Sequence, residues 1–351
     1  MKGVFSLSYR SPARLVLVLS LVFASFTACT GPGTGPSGGP PVTTSGRTPL
    51  KVGLGFIPSV QFAQFYLADQ KGYYRDAGLD VTFENKIDPE LITLLGQGAV
   101  DIGMGDGTSV IPAVSQDIPV RYVATVYARF PSIVFSKASS GITAPADLEG
   151  KRLGIPGRFG SSWIMLQALL ASAGLTTDDV QIVDFPDFGQ GAALAEDRVD
   201  AATGFVNNEP VQLELSGEQV RVLRVDEITP LPGPGLVVGT RTLADKRLAV
   251  VNFVDATIRA MEEIIADPSA GLDAAVARVP ELGEDRDTQR AILDATIETW
   301  QSPYTDANGL GSIDRDAWQE SVTFMSGLPA SVVARPVTVD ELVSDEVQRA
   351  P

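Results

Sequence analysis

The run Gly204-Phe205-Val206-Asn207-Asn208-Glu209-Pro210 sets two carboxamides and a carboxylate side by side in an apolar frame. Two chemistries suit it. Asn and Pro favour turns, so the segment could be a tight reversal and nothing more. Alternatively, the three polar side chains could read the edge of a small ligand in a site with apolar walls. Asp106, in Gly105-Asp106-Gly107-Thr108-Ser109, poses the same choice between helix cap and binding group. A third cluster joins Arg158, Phe159, Ser161, Ser162 and Trp163. A fourth offers Ser59, Gln61 and Phe62, and Tyr127 stands in Tyr127-Ala128-Arg129-Phe130-Pro131, a hinge strand or a cleft rim. Asp106 and Glu209 together could serve a hydrolase or lyase as an acid/base pair. Arg158, beside a helix start near Ser161, could hold an anion such as an organosulfonate.

Composition narrows these choices. The chain of 351 residues has no histidine and one cysteine, Cys29. Ser-His-Asp and Cys-His catalysis, His/Cys metal clusters and an intramolecular disulfide are excluded. No acidic loop has the spacing of a Ca²⁺ or Mg²⁺ site, and Gly105-Asp106-Gly107-Thr108 lacks the Gly-Lys-Ser/Thr ending of a phosphate loop. Neither a metal nor a cofactor is expected. The formal charge of −16 argues against nucleic acid as a partner.

The elements that must position these groups come in two similar passes. Residues 50–57 read as a strand, 60–74 as a helix with Ala63, Tyr66 and Leu67 on one face and Gly72 at its C-terminus, and 78–84 as a strand. Residues 89–107 then give helix, turn and strand. The second pass has a strand at 151–157, a helix at 161–174 capped by Ser161 or Ser162, a strand at 179–185, and helix, turn and strand over 189–205. Val100-Asp101 and Val199-Asp200 stand at nearly the same distance after Lys51 and Lys151. Two matched units of this kind predict two α/β lobes with mainly parallel sheets. From about residue 248 the pattern is helical, and these helices are expected to buttress the first lobe. Ligands of open α/β sheets bind beyond the C-terminal strand ends. All four polar clusters fall at such ends, which favours a ligand cleft, and its aromatic walls suit a planar polar heterocycle.

The N-terminal 28 residues have the basic start and short apolar core of an export signal. Phe26-Thr27-Ala28-Cys29 resembles a bacterial lipoprotein box, with Cys29 the lipidated first residue and Phe26 where an aliphatic residue is usual. Cleavage there removes three positive charges and takes the formal charge from −16 to −19. A Gly/Pro/Ser/Thr-rich spacer follows to residue 49. The expectation is a body tethered outside the cell membrane.

Three segments carry a broader resemblance: residues 65–81 (FYLADQKGYYRDAGLDV), 146–157 (ADLEGKRLGIPG) and 199–205 (VDAATGF). The chain resembles the periplasmic-binding-protein-like superfamily of ABC importers, in the branch of thiamine-precursor-binding and aliphatic-sulfonate-binding proteins. Residues 57–66, 156–163 and 204–213 look most like proteins assigned to riboflavin or thiamine-pyrimidine uptake. The resemblance implies an α/β, two-lobe periplasmic-binding-protein-like (type II) fold with a helical C-terminal region. Lobe one would be residues 50–134 plus 237–351 and lobe two 135–236, with crossings near 131–137 and 233–240. It further implies a monomeric extracytoplasmic lipoprotein that hands its ligand to an ABC permease. Phe62, Phe159 and Trp163 would wall in the ring. Gln61, Asp106, Asn207, Asn208 and Glu209 would read its polar edge. Fungal pyrimidine synthases of the same branch use a histidine and a Cys-rich motif, both missing here, so binding rather than turnover is expected. A sensor or adaptor subunit that signals from its closed form is a further alternative.

Overall fold

The computed structural model describes residues 46–87, 90–228, 231–328 and 332–347. The export signal, Cys29 and most of the spacer lie outside the described residues. The spacer expected to end at 49 ends earlier, because Thr48 and Pro49 already pair with Leu79 and Asp80. Pro49 is tolerated because the strand on its other side pairs only at Val52 and Gly53.

The first pass runs β1 (Thr48–Gly55), α1 (Ala63–Gln70), α2 (Tyr73–Asp76), β2 (Leu79–Ile87), α3 (Glu90–Gln97), β3 (Ile102–Gly105), α4 (Gly107–Ser115) and β4 (Val120–Thr125). The second runs β5 (Ser132–Lys137), β6 (Arg152–Ile155), α5 (Gly160–Ser172), β7 (Gln181–Asp184), α6 (Gln190–Ala195), β8 (Ala201–Phe205), α7 (Glu209–Leu215) and β9 (Val220–Arg224). The chain then returns through β10 (Gly235–Gly239) to α8 (Thr240–Ala266), α9 (Pro268–Arg278), α10 (Arg286–Trp300), α11 (Pro303–Asn308), α12 (Arg315–Met325) and α13 (Val339–Leu342).

Two five-stranded sheets result, ordered β2-β1-β3-β10-β4 and β7-β6-β8-β5-β9. In each, three neighbouring strands pair in parallel, and the fourth, β10 or β5, which enters its sheet from a crossing, pairs antiparallel with the third and with the fifth. The repeat seen in the sequence recurs in the hydrogen bonds with an offset of one residue. Asp101 accepts from the Lys51 backbone N–H at 3.0 Å and Asp200 from that of Arg152 at 2.8 Å, so each Val-Asp is tied to the first strand of its pass, β1 or β6. In the second sheet the partner is Arg152 rather than Lys151.

The chain passes between the sheets just ahead of β5 and of β10, a few residues before the expected crossings at 131–137 and 233–240. β5 and β10 each sit wholly inside a sheet, so boundaries at 134 and 237 would cut both strands. The reason is local. Ile133-Val134-Phe135 and Leu236-Val237-Val238 are buried apolar runs that the sheets take up. Pro131, Pro232 and Pro234 cannot donate to a ladder and are left in the crossings. The two crossings bond to each other, Tyr127 N–H donating to the Pro234 carbonyl at 2.8 Å.

Helices α8, α9 and α10 pack with α1 in one apolar cluster, where Phe65, Tyr74 and Phe253 stack. Among the described residues no helix is long and apolar enough to cross a membrane.

Candidate functional site

A cavity opens between the C-terminal edges of the two sheets. Each wall is a strand end whose next residues are held by short-range hydrogen bonds. After β1, Ser59 Oγ accepts from the Gln61 backbone and from Gln61 Nε2 at 3.2 and 3.1 Å. This fixes Gln61 and Phe62, both almost fully buried, on the wall. After β3, Asp106 caps α4. Its Oδ1 accepts from Thr108 N, Ser109 N and Thr108 Oγ1 at 2.9, 3.1 and 2.6 Å. The cap and the binding-group readings therefore fall on one residue, which also lines the cavity. Burial raises its carboxyl above the usual range, and the hydrogen bonds from Thr108 and Ser109 partly offset that.

After β6, Phe159 stands extended at the mouth, 40% exposed, and Gly160 adopts φ +61°, a conformation suited to glycine. α5 begins at Gly160, with Phe159 rather than a serine in the capping position and no side-chain cap. Ser161 and Ser162 lie in its first turn and line the cavity. After β8, Asn208 and Glu209 open α7. Asn208 Oδ1 accepts from Gln212 Nε2 at 2.8 Å. The Glu209 carboxyl folds inward, accepting from Phe205 N–H at 2.9 Å and facing Gln190 Nε2 at 3.4 Å. Burial pushes it up to about 7, against the hydrogen bonds from Phe205 and its own backbone. Tyr127, from the first crossing, closes the floor. Burial raises its phenol, and Asn207 and Thr296 moderate the rise.

Nine of the twelve expected site residues thus line one cavity. The remaining three sit elsewhere. Arg158 faces Asp184 at 3.8 Å and lies over the Trp163 ring at 5.9 Å. Trp163 packs against the second lobe's core. Asn207 is wholly buried beneath the cavity, donating to Gln61 Oε1 at 2.9 Å and Thr296 Oγ1 at 2.8 Å. Its Nδ2 is taken up in joining the segment after β8 to the turn after β1 and to α10, and its Oδ1 has no partner among the described residues.

The sequence reading missed Phe56, Phe188 and Gln190. Phe56 and Phe188 meet edge to face at 5.0 Å, one from each lobe, and both line the cavity. The strand-end rule would have reached them had it been applied to the first residue after β1 and to the loop after β7.

The NMT1/THI5-like family model matches residues 59–271. The riboflavin-binding protein RibY of Chloroflexus aurantiacus is 32% identical over 338 residues, 95% of both chains. A formylaminopyrimidine-binding protein of Halalkalibacterium halodurans is 26% identical over 287 residues, covering 79% of this chain and 84% of that one. Among solved structures, the alkanesulfonate-binding protein SsuA of Xanthomonas axonopodis pv. citri, bound to MOPS, superposes with a TM-score of 0.66 at 18% identity, covering 84% of this chain and 98% of its own. At that identity the likeness speaks for the fold alone, which is α/β and periplasmic-binding-protein-like. With two sheets built alike and a matched span that includes every cavity-lining strand end after β1, the chain belongs to the NMT1/THI5-like family.

Proposed function

We propose that this chain is the solute-binding subunit of an ABC importer, capturing an aromatic vitamin or its precursor between its lobes, with riboflavin ahead of the thiamine pyrimidine. The observation that carries this is the wall. Phe56, Phe62, Phe159 and Phe188 surround a few inward polar groups at the edge where two α/β sheets face each other. Such a site holds a planar ring by its faces and reads its rim by hydrogen bonds. The extensive similarity to RibY supports riboflavin, and the formylaminopyrimidine-binding relative supports the pyrimidine. We take the reaction to be binding without turnover, since the chain has neither histidine nor a cysteine beyond Cys29. In the same reading Cys29 is the lipid anchor, the protein acts as a monomer outside the membrane, and a permease is its partner.

An organosulfonate is the second reading. The uncapped start of α5 at the cavity favours an oxyanion, whereas Asp106 and Glu209 oppose one. Thermal unfolding against riboflavin, the thiamine pyrimidine and an alkanesulfonate decides between them. Ligand at about one hundred times its Kd adds roughly 2.7 kcal/mol. A shift with riboflavin or the pyrimidine alone is expected. A shift with the sulfonate alone moves the function to the second reading.

A further inference from the structure

One buried group at the cavity is left over when the hydrogen bonds have been assigned. Gln190, in the first turn of α6, is 1% exposed and lines the cavity. Its Nε2 donates to the Thr203 carbonyl at 3.2 Å and faces Glu209 Oε1 at 3.4 Å. The Thr203 carbonyl can only accept, so it fixes the amide nitrogen toward itself. Its Oε1 has no partner among the described residues. An acceptor left buried without a donor is destabilising. A ligand N–H supplied at this point would satisfy it.

The charge of the wall adds a second constraint. None of the residues lining the cavity is Lys or Arg, and the chain has no histidine. Two carboxyl groups, Asp106 and Glu209, do line it. The cation nearest in sequence, Arg158, is engaged with Asp184 and Trp163 outside the wall. An anionic ligand would meet two acidic side chains and no Lys or Arg in the wall, with only the uncapped start of α5 as partial compensation.

Resting on the solute-binding reading above, we propose that Gln190 determines specificity by accepting an N–H of an uncharged heterocycle, and that the cation-free acidic wall rejects the phosphate ester of that heterocycle. The site then takes the free vitamin or precursor and discriminates against its phosphorylated form. Riboflavin carries such an N–H on its pyrimidinedione ring, and the thiamine pyrimidine carries an amino group.

The test is a binding titration of the purified chain with two pairs that differ by one phosphate. These are riboflavin with its 5′-phosphate, and 4-amino-5-hydroxymethyl-2-methylpyrimidine with its phosphate. The parent that binds should do so at least about tenfold more tightly than its ester. Joint Asp106→Asn and Glu209→Gln substitution should shrink that gap. An ester that binds wild type as tightly as its parent overturns the inference and leaves the heterocycle reading standing. Failure of both parents to bind overturns the heterocycle reading and the inference with it. For Gln190, 3-methylriboflavin lacks the ring N–H. Wild type should bind it at least about tenfold more weakly than riboflavin, and Gln190→Met should bind the two alike. Equal binding of the two flavins by wild type overturns the role given to Gln190, without any need for the variant to fold.

Discussion

Asn207 and Gln61 meet side chain to side chain between the two sheets, Nδ2 to Oε1 at 2.9 Å, with Asn207 fully buried. The same Nδ2 reaches Thr296 on α10 at 2.8 Å. One carboxamide therefore fastens the segment after β8 to the turn after β1 and to the C-terminal helices. Through Gln61 it also sets part of the cavity wall. Asn207→Ala leaves Gln61 Oε1 without its donor and should lower the stability of the folded chain by about 1–3 kcal/mol. Thermal unfolding without ligand reads this directly. An unchanged melting temperature would mean the contact does not hold the sheets together.

The crossings supply a second expectation. Gly233 lies where they touch, and a Cβ there would fall 2.2 Å from the Tyr127 carbonyl oxygen. That atom belongs to backbone bonded to Pro234, so it cannot yield as a flexible side chain would. Gly233→Ala should destabilise by about 1–3 kcal/mol through overpacking. Gly217, with open space around its Cβ direction but φ +95°, is a useful contrast, because alanine there strains only the local turn. The two variants compared by denaturant unfolding separate interlobe crowding from ordinary backbone cost. A smaller loss at Gly233 than at Gly217 would contradict this account.

How much of this was legible beforehand follows from which signals are local. Strand and helix periodicity, the Val-Asp repeat and the rule of C-terminal strand ends placed Asp106, Ser161, Ser162, Asn208 and Glu209 in one cavity. Each depends on sequence neighbours. Asn207 was indistinguishable from Asn208 by type and spacing. Its burial depends on Gln61 and Thr296, which come from distant parts of the chain. Arg158 was drawn off by Asp184, a pairing that no sequence spacing announces. The crossings were displaced because hydrophobic runs such as Ile133-Val134-Phe135 look alike whether they cross between lobes or lie within a sheet. Proline placement was the better guide.

Phe159 should matter to ligand and little to folding. It is a large apolar ring, 40% exposed, at the cavity mouth. Phe159→Ala gives up a face for a planar ligand, and base–aromatic stacking elsewhere is worth about 1–3 kcal/mol per ring. Riboflavin affinity should fall by roughly tenfold or more, with the ligand-free melting temperature nearly kept. Equal loss of both would place Phe159 in the core instead.

Two carboxyls should contribute to acid dependence with opposite signs. Asp200 sits below the ordinary carboxylate range, chiefly because the Arg152 side chain hydrogen-bonds to it. Its folded value is lower than its unfolded value. Its stabilising contribution is therefore present above pH about 4 and lost as pH falls through the folded value. Glu209 is the reverse. Burial lifts it to about 7, so between its unfolded value near 4.5 and about 7 the folded chain holds a proton that the unfolded chain has released. Stability therefore declines as pH rises through that window. Ligand-free unfolding followed from about pH 2 to 8 should show a maximum on the acid side of neutrality. Glu209→Gln should flatten the neutral limb and leave the acid limb, while Asp200→Asn should reduce the acid limb alone, which Asp200 shares with Asp147, Asp179, Glu263, Asp285 and Glu341. A neutral limb that persists in Glu209→Gln would assign the proton to another group, with Asp106, also raised by burial, the next to substitute.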